Sequence, residues 1–215
     1  MDDKRHSILY DLYCTTEVLN SILTTSIAVA KCDCLHPIAA YLNTSIMSTH
    51  IRTFQPSDIK ALVHIYNRYI EETTITFDIA PHTIEYRREH WMSHYHASGR
   101  HRLLVAECDE KVVGYATSSQ FRTKAAYDTS VETSIYLDMS FRAKGIGTQL
   151  YTALFDALDK EDVHRAYAGI TMPNDVSIGI HQKFGFKQVG LFKEVGRKFG
   201  KYWDVAWFEK IIGDA

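Results

Sequence analysis

The run Ser134-Ile-Tyr-Leu-Asp-Met-Ser-Phe-Arg-Ala-Lys-Gly-Ile-Gly147 decides the fold. Its first part, Ser134 to Asp138, is apolar and β-branched enough for a buried strand. A basic turn with two glycines comes next, and then Ile146, Leu150, Leu154 and Leu158 recur at helical spacing. A strand that feeds a glycine-rich turn and opens a helix is an anion site. The turn's N–H groups and the helix N-terminus converge on one place, and glycine lets a phosphate approach closely. Arg142 and Lys144 add positive charge at that mouth.

A chain of 215 residues suffices for one domain and an extension. Its 46% hydrophobic content and thirteen tyrosines mark a packed globular protein rather than a disordered one. A formal net charge of -2 gives no reason to expect nucleic acid or a membrane surface as partner. No apolar run approaches the roughly 20 residues that span a bilayer. Of the four cysteines, Cys14, Cys32 and Cys34 precede His36 and only Cys108 lies further on. That distribution fits a reducing, cytoplasmic setting better than a disulfide framework. Cys32-Asp-Cys34-Leu-His36 lacks a second ligand pair, so unpaired thiols and no metal are expected.

Residues 1–47 do not match the rest of the chain, and read as a translated upstream region, a short helical appendage or a true extension; they carry no assigned chemistry. The domain is expected over 48–215. Ile51 to Phe54 reads as a strand, and Pro56-Ser57-Asp58 opens a helix with Ile59, Leu62, Val63, Tyr66, Tyr69 and Ile70 at helical spacing. A hydroxyl-rich loop with Phe77 leads to Thr83, which caps a second helix expected over Ile84 to Ala97. Leu103–Glu107 and Val112–Gln120 flank Cys108-Asp-Glu-Lys111 as a β-hairpin, placing Cys108 in its turn. After a polar loop with Arg122 and Lys124 come the strand and helix of the opening run. A strand is expected over Ala166–Thr171, then a short helix over Val176–Phe184 closed by Gly185. Strands at Lys187–Phe192 and Tyr202–Lys210, joined by a loop around Gly196–Gly200, complete the order β-α-α-β-β-β-α-β-α-β-β.

The strand, the Arg142-x-x-Gly145-x-Gly147 turn and its helix, with the later strand, Asn174, helix and Gly185-Phe186, resemble the acetyl-CoA site of the GCN5-related N-acetyltransferase (GNAT) superfamily. More narrowly, the chain resembles the phosphinothricin N-acetyltransferase group. That likeness rests on Glu71 to Phe77, Tyr127 with Val131-Glu132, Pro173-Asn174-Asp175 with Ser177 and His181, and Gly196-x-Lys198-x-Gly200-x-Tyr-Trp-Asp-Val205. It covers about residues 50–210. It implies an α/β acetyltransferase fold: a mixed, mostly antiparallel sheet, splayed at its centre and flanked by helices. It also implies acetyl-CoA as donor, direct transfer to the α-amino group of a small amino acid or analogue such as phosphinothricin, methionine sulfoximine or methionine sulfone, and a homodimer.

Under that resemblance, Arg142, Ala143, Lys144, Gly145, Ile146, Gly147 and Thr148 cradle the pyrophosphate. The main chain of Ile135, Tyr136 and Leu137 pairs with the pantetheine like an added strand, and Asn174 and Ser177 stand near its reacting end. An amine must be neutral to attack a thioester, so a base is needed. Glu132, on one strand face with Ser134 and Tyr136, is the expected base. His181, where many relatives carry tyrosine, serves as acid, base or substrate ligand. Arg87, Arg122 and Lys124 are the cations for the acceptor's carboxylate or polar tail, with Phe77 and Tyr127 as an apolar wall. Lys198 to Trp203 line the pocket or pack against a second subunit. Two other readings stay open: another amine as acceptor (polyamine, aminoglycoside or protein N-terminus), and a non-catalytic acyl-CoA sensor.

Overall fold

The computed structural model describes residues 48–213; the extension expected over residues 1–47 lies outside them. Seven strands form one sheet in the order β1-β2-β3-β4-β5-β7-β6. They are β1 (Thr49–Thr53), β2 (Arg102–Cys108), β3 (Lys111–Gln120), β4 (Ser130–Leu137), β5 (Arg165–Thr171), β6 (Lys187–Lys198) and β7 (Lys201–Ile211). The helices are α1 (Ile59–Glu72), α2 (Ile84–His90), α3 (Ile146–Leu158) and α4 (Asp175–Lys183). Every strand pair is antiparallel except β4 with β5. The element order matches the expected one.

Alternation along β2 builds both cores. Leu104, Ala106 and Cys108 turn toward α3, where Ile146, Leu150, Leu154 and Leu158 are buried. Leu103 and Val105 turn the other way, against Leu62, Ile65 and Tyr69 of α1. Burying each such leucine contributes about 1.5–3 kcal/mol, so these two faces hold the helices to the sheet.

The functional consequence lies at the sheet's centre. β4 and β5 pair only at Ser130↔Arg165, Val131↔Ala166 and Glu132↔Tyr167, after which the strands part. This is the expected splay. Its chain ends are anchored: Met172 N–H, just past β5, bonds to the Asp204 carbonyl, and Asp138 N–H, just past β4, bonds to the Val113 carbonyl.

Three local expectations are corrected. Helix α2 stops at His90, and Met92–His94 forms a separate 3-10 turn. The chain leaves α geometry at Trp91 (φ -129°), whose ring contacts Arg87 and Tyr115. Cys108 is the last residue of β2, buried with its Sγ 3.3 Å from Thr49 Oγ1. The turn there is Asp109-Glu110, both at positive φ, as a two-residue hairpin matching the strand twist requires. Likewise β6 continues to Lys198 through an irregular stretch between Phe192 and Gly196. The expected loop contracts to Phe199-Gly200, again with both φ positive.

Candidate active site

The turn after β4 ends in a left-handed step. Ala143 (φ 59°) and Gly145 (φ 78°) reverse the chain so that α3 starts at Ile146. The first helical bond runs from Gln149 N–H to Gly145 O at 3.1 Å. The N–H groups of Ile146, Gly147 and Thr148 therefore precede any intrahelical partner and face outward from the helix start. Gly147 is buried there, and a Cβ built on it would lie 3.1 Å from Ile180 Cδ1 and 3.5 Å from Ile135 Cδ1. Arg142, Ala143 and Gly147 border a groove of about 220 Å³ that runs between Ile135 and Leu137 of β4 and Asn174, at the start of α4, with Ser177 and Ile180 inside that helix.

The groove leads into the wedge between β4 and β5. A smaller cavity of about 50 Å³ there shares Ile75, Ile135, Asn174 and Ser177 with the groove and is also bordered by Ser134 and His181. The Asp138–Val113 bond sets the ladder's phase, so Tyr136 and Ser134 direct their main chain to β3. Thr133, Ile135 and Leu137 then turn theirs toward the wedge. At Leu137 the Tyr69 hydroxyl already fills that role: it donates to the carbonyl at 2.7 Å and accepts from the N–H at 3.3 Å. Of the three β4 residues expected to pair with a cofactor arm, Ile135 alone directs main-chain groups into the wedge without that engagement. Asn174 borders both cavities and also caps α4, its Oδ1 accepting from Ser177 N–H at 3.1 Å.

On the opposite face lies a third cavity of about 230 Å³, which shares Ser134 and Tyr136 with the wedge. Residues paired across an antiparallel ladder point the same way, so the pairs Tyr115↔Tyr136, Thr117↔Ser134 and Ser119↔Glu132 lay a strip along one face. The first two pairs and Ser119 border this cavity, with Tyr66 of α1 and Arg87, Trp91 and Tyr95 closing it. Glu132 stands at the end of the strip, half-buried. Burial pushes its carboxyl above the ordinary carboxylate range, and the nearby Arg122 charge partly opposes this. Arg122 itself is exposed, its guanidinium 4.1 Å from the Phe121 ring centre.

His181 is 3% exposed. Its Nδ1 lies 2.7 Å from the Ser177 carbonyl, which only accepts, so Nδ1 carries the proton. Nε2 then accepts from the Tyr151 hydroxyl at 3.0 Å. Both ring nitrogens are engaged, and no bond joins His181 to Glu132. Burial lowers the pKa of His181. The unfolded chain therefore takes up a proton at this imidazole before the folded one does, and stability falls as pH drops below the ordinary histidine value of about 6.5. Melting midpoints measured across that range are expected to fall in the wild type and to fall less in His181→Gln.

Phe77 and Tyr127, expected as the apolar wall, border neither the wedge nor the third cavity. Tyr127 is 44% exposed and meets Phe121 edge-on. Phe77 seats on Gly196 of β6, where an added Cβ would lie 2.1 Å from its Cε2. The same hairpin sends the buried Lys198 to the Thr76 carbonyl at 2.8 Å. Phe77 and Lys198 thus tie the loop after α1 to the β6–β7 hairpin. Gly196→Ala must expel the Phe77 ring, and is expected to cost about 1–3 kcal/mol in chemical denaturation.

The aromatic lining of the third cavity comes from Tyr66, Trp91, Tyr95, Tyr115 and Tyr136. Its signal was present as the alternation Tyr115, Thr117, Ser119. Polar side chains on the same inward strand face as a tyrosine mark a lined cavity rather than a dry core.

The acetyltransferase (GNAT) domain family matches residues 51–207. Over 162 residues the chain is 51% identical to a phosphinothricin N-acetyltransferase of Streptomyces coelicolor, covering 74% of this chain and 94% of that protein. Over 163 residues it is 30% identical to an L-methionine sulfoximine/L-methionine sulfone acetyltransferase of Pseudomonas paraeruginosa, covering 76% and 94% respectively. A GNAT superfamily phosphinothricin acetyltransferase from Sinorhizobium meliloti, solved in complex with AcCoA, superposes with a TM-score of 0.73 at 28% identity. That match covers 78% of this chain and 90% of that one.

Proposed function

The chain belongs to the GNAT acetyltransferase family, and on that premise we propose that it carries an acetyl group from acetyl-CoA to the α-amino group of a small amino acid or analogue. Phosphinothricin, methionine sulfoximine and methionine sulfone are the acceptors its relatives' names point to. One observation carries this reading: the wedge and the aromatic cavity meet at Ser134, with a carboxylate of raised pKa one strand step away on the cavity face.

The site fits the donor at three points. The helix-start N–H groups with Gly147, where a Cβ would press on Ile180, suit the pyrophosphate. Arg142 and Lys144 add charge there. Ile135 offers main-chain groups to the pantetheine amides inside the wedge. Acetyl-CoA supplies the acetyl group as a thioester. Glu132 takes the proton that the attacking amine must shed, directly or through water. A carboxylate whose pKa is raised toward neutrality is a better matched base than an ordinary one. The Ser177 hydroxyl, which borders both groove and wedge, donates toward the departing sulfur. His181, neutral and engaged at both nitrogens, holds Ser177 and Tyr151 in place.

A thiol-release assay with acetyl-CoA and those three acceptors tests the reading. Turnover with amino acid acceptors supports it. Turnover only with polyamines, aminoglycosides or peptide N-termini overturns the acceptor assignment, and CoA binding without turnover of any amine overturns catalysis.

A further inference from the structure

Arg87 is 7% exposed, and among the described residues its guanidinium makes no hydrogen bond or ion pair. It is held instead between two rings, 4.0 Å from the Tyr66 centre and 4.3 Å from the Trp91 centre. These ring contacts engage none of its N–H groups, so the donor fork is unspent. A buried charge without a counter-charge is expensive to the fold, and such charges are normally paired. Beside it the Tyr115 hydroxyl is buried without a partner, on a side chain 1% exposed. Both residues border the same cavity. The Trp91 ring contacts both, its centre 4.3 Å from the Arg87 guanidinium and 5.7 Å from the Tyr115 ring centre, and the Arg87 charge acts on the Tyr115 hydroxyl across the shared cavity.

Their position along the strip says which part of an acceptor they meet. Transfer takes place where the wedge opens at Ser134. Glu132 lies to one side of Ser134 and Tyr136 to the other, each about 7 Å away along β4. Arg87 and Tyr115 belong to the Tyr136 side, packed with Tyr66 and Tyr136. An α-carboxylate sits on the same carbon as the amine and stays beside it, and Arg122, two residues past the β3 end that pairs with Val131 and Glu132, is the cation on the Glu132 side. What extends to Arg87 is the far end of the acceptor's side chain.

We infer that Arg87 and Tyr115 form a subsite for the acceptor's tail, and that the full charge of Arg87 selects an anionic oxo group such as a phosphinate over a neutral sulfone, and either over a bare thioether. This rests on the proposed amino acid acceptor and assigns the ends of that molecule. Arg87 supplies two parallel N–H bonds to the tail oxygens, and the Tyr115 hydroxyl a third.

Equilibrium titration of the CoA-loaded protein with phosphinothricin, methionine sulfone and methionine separates this from the alternatives, because all three share one α-carboxylate and differ in tail. The wild type is expected to bind them in that order. Arg87→Met is expected to weaken phosphinothricin about 10- to 100-fold while leaving methionine nearly unchanged, so that the order collapses. Tyr115→Phe keeps the ring, loses no internal hydrogen bond and is expected to melt no lower than wild type. It weakens the two oxo-tailed ligands by up to about tenfold and spares methionine. Equal weakening of all three ligands by Arg87→Met would mean that Arg87 holds the α-carboxylate and would overturn the assignment. So would no change in any, no wild-type preference among the tails, or a Tyr115→Phe loss that includes methionine. Turnover is read separately: silence in the thiol-release assay with tail selectivity intact defeats the catalytic reading and leaves the subsite standing.

Discussion

Glu132→Gln is expected to lower kcat/KM by about 10²–10⁴-fold while CoA affinity stays at the wild-type value. Glutamine keeps the shape and the strand pairing with Ser119 and Tyr167, so the change removes proton acceptance and little else. The sign of the pH effect is set by burial. The carboxyl titrates above the ordinary carboxylate value of about 4.3, and it must be ionised to act. The wild-type kcat/KM therefore falls as pH drops through that raised value, and the variant lacks this acidic limb. Arg122→Met, which removes the charge opposing the shift, is expected to move the limb upward in pH. Rate profiles of the two variants check both statements. An unchanged rate in Glu132→Gln removes Glu132 as base.

Gly147→Val is expected to weaken CoA binding about a hundredfold or more, since a phosphate held off the helix start forfeits several charge-assisted hydrogen bonds of about 1.5–3 kcal/mol each. Even a single Cβ here already presses on Ile180 Cδ1 at 3.1 Å, with Leu137 Cδ1 at 3.7 Å behind it. The two further methyl groups of valine either fill the groove or push α4 away from α3. Titration with CoA reads the first effect and thermal melting the second. An unchanged dissociation constant would show that the cradle lies elsewhere. Gly145 acts differently: nothing lies within 4 Å of an added Cβ, and only its positive φ of 78° calls for glycine. Of the two glycines in the turn, one shapes the backbone and the other keeps a space open.

Most of the proposed donor half was legible along the chain because it is local. A strand, a turn and a helix in succession bring their own N–H groups to one point, so Ser134 to Thr148 carries its geometry in its order. The splay was an expectation from likeness, and the structure resolves it into three paired residues and then separation. The acceptor half was less legible. Glu132 and Arg87 were singled out as residue types, whereas Phe77 and Tyr127, expected as an apolar wall, border neither the wedge nor the third cavity. Residues from α1, the α2 end and β3, far apart in sequence, make that wall through tertiary packing.

The element order and the strand, glycine turn and helix start of Ser134 to Thr148 could be read from the chain alone, because hydrophobic period and turn chemistry act over a few residues. Packing across elements was needed to show that His181 spends both nitrogens on Ser177 and Tyr151, that Tyr69 occupies the Leu137 main chain, and that Arg87 lies buried against two rings without an ion pair among the described residues. Each of these depends on which side chains meet across elements and on which partners burial withholds. Residue spacing along a chain does not carry that information.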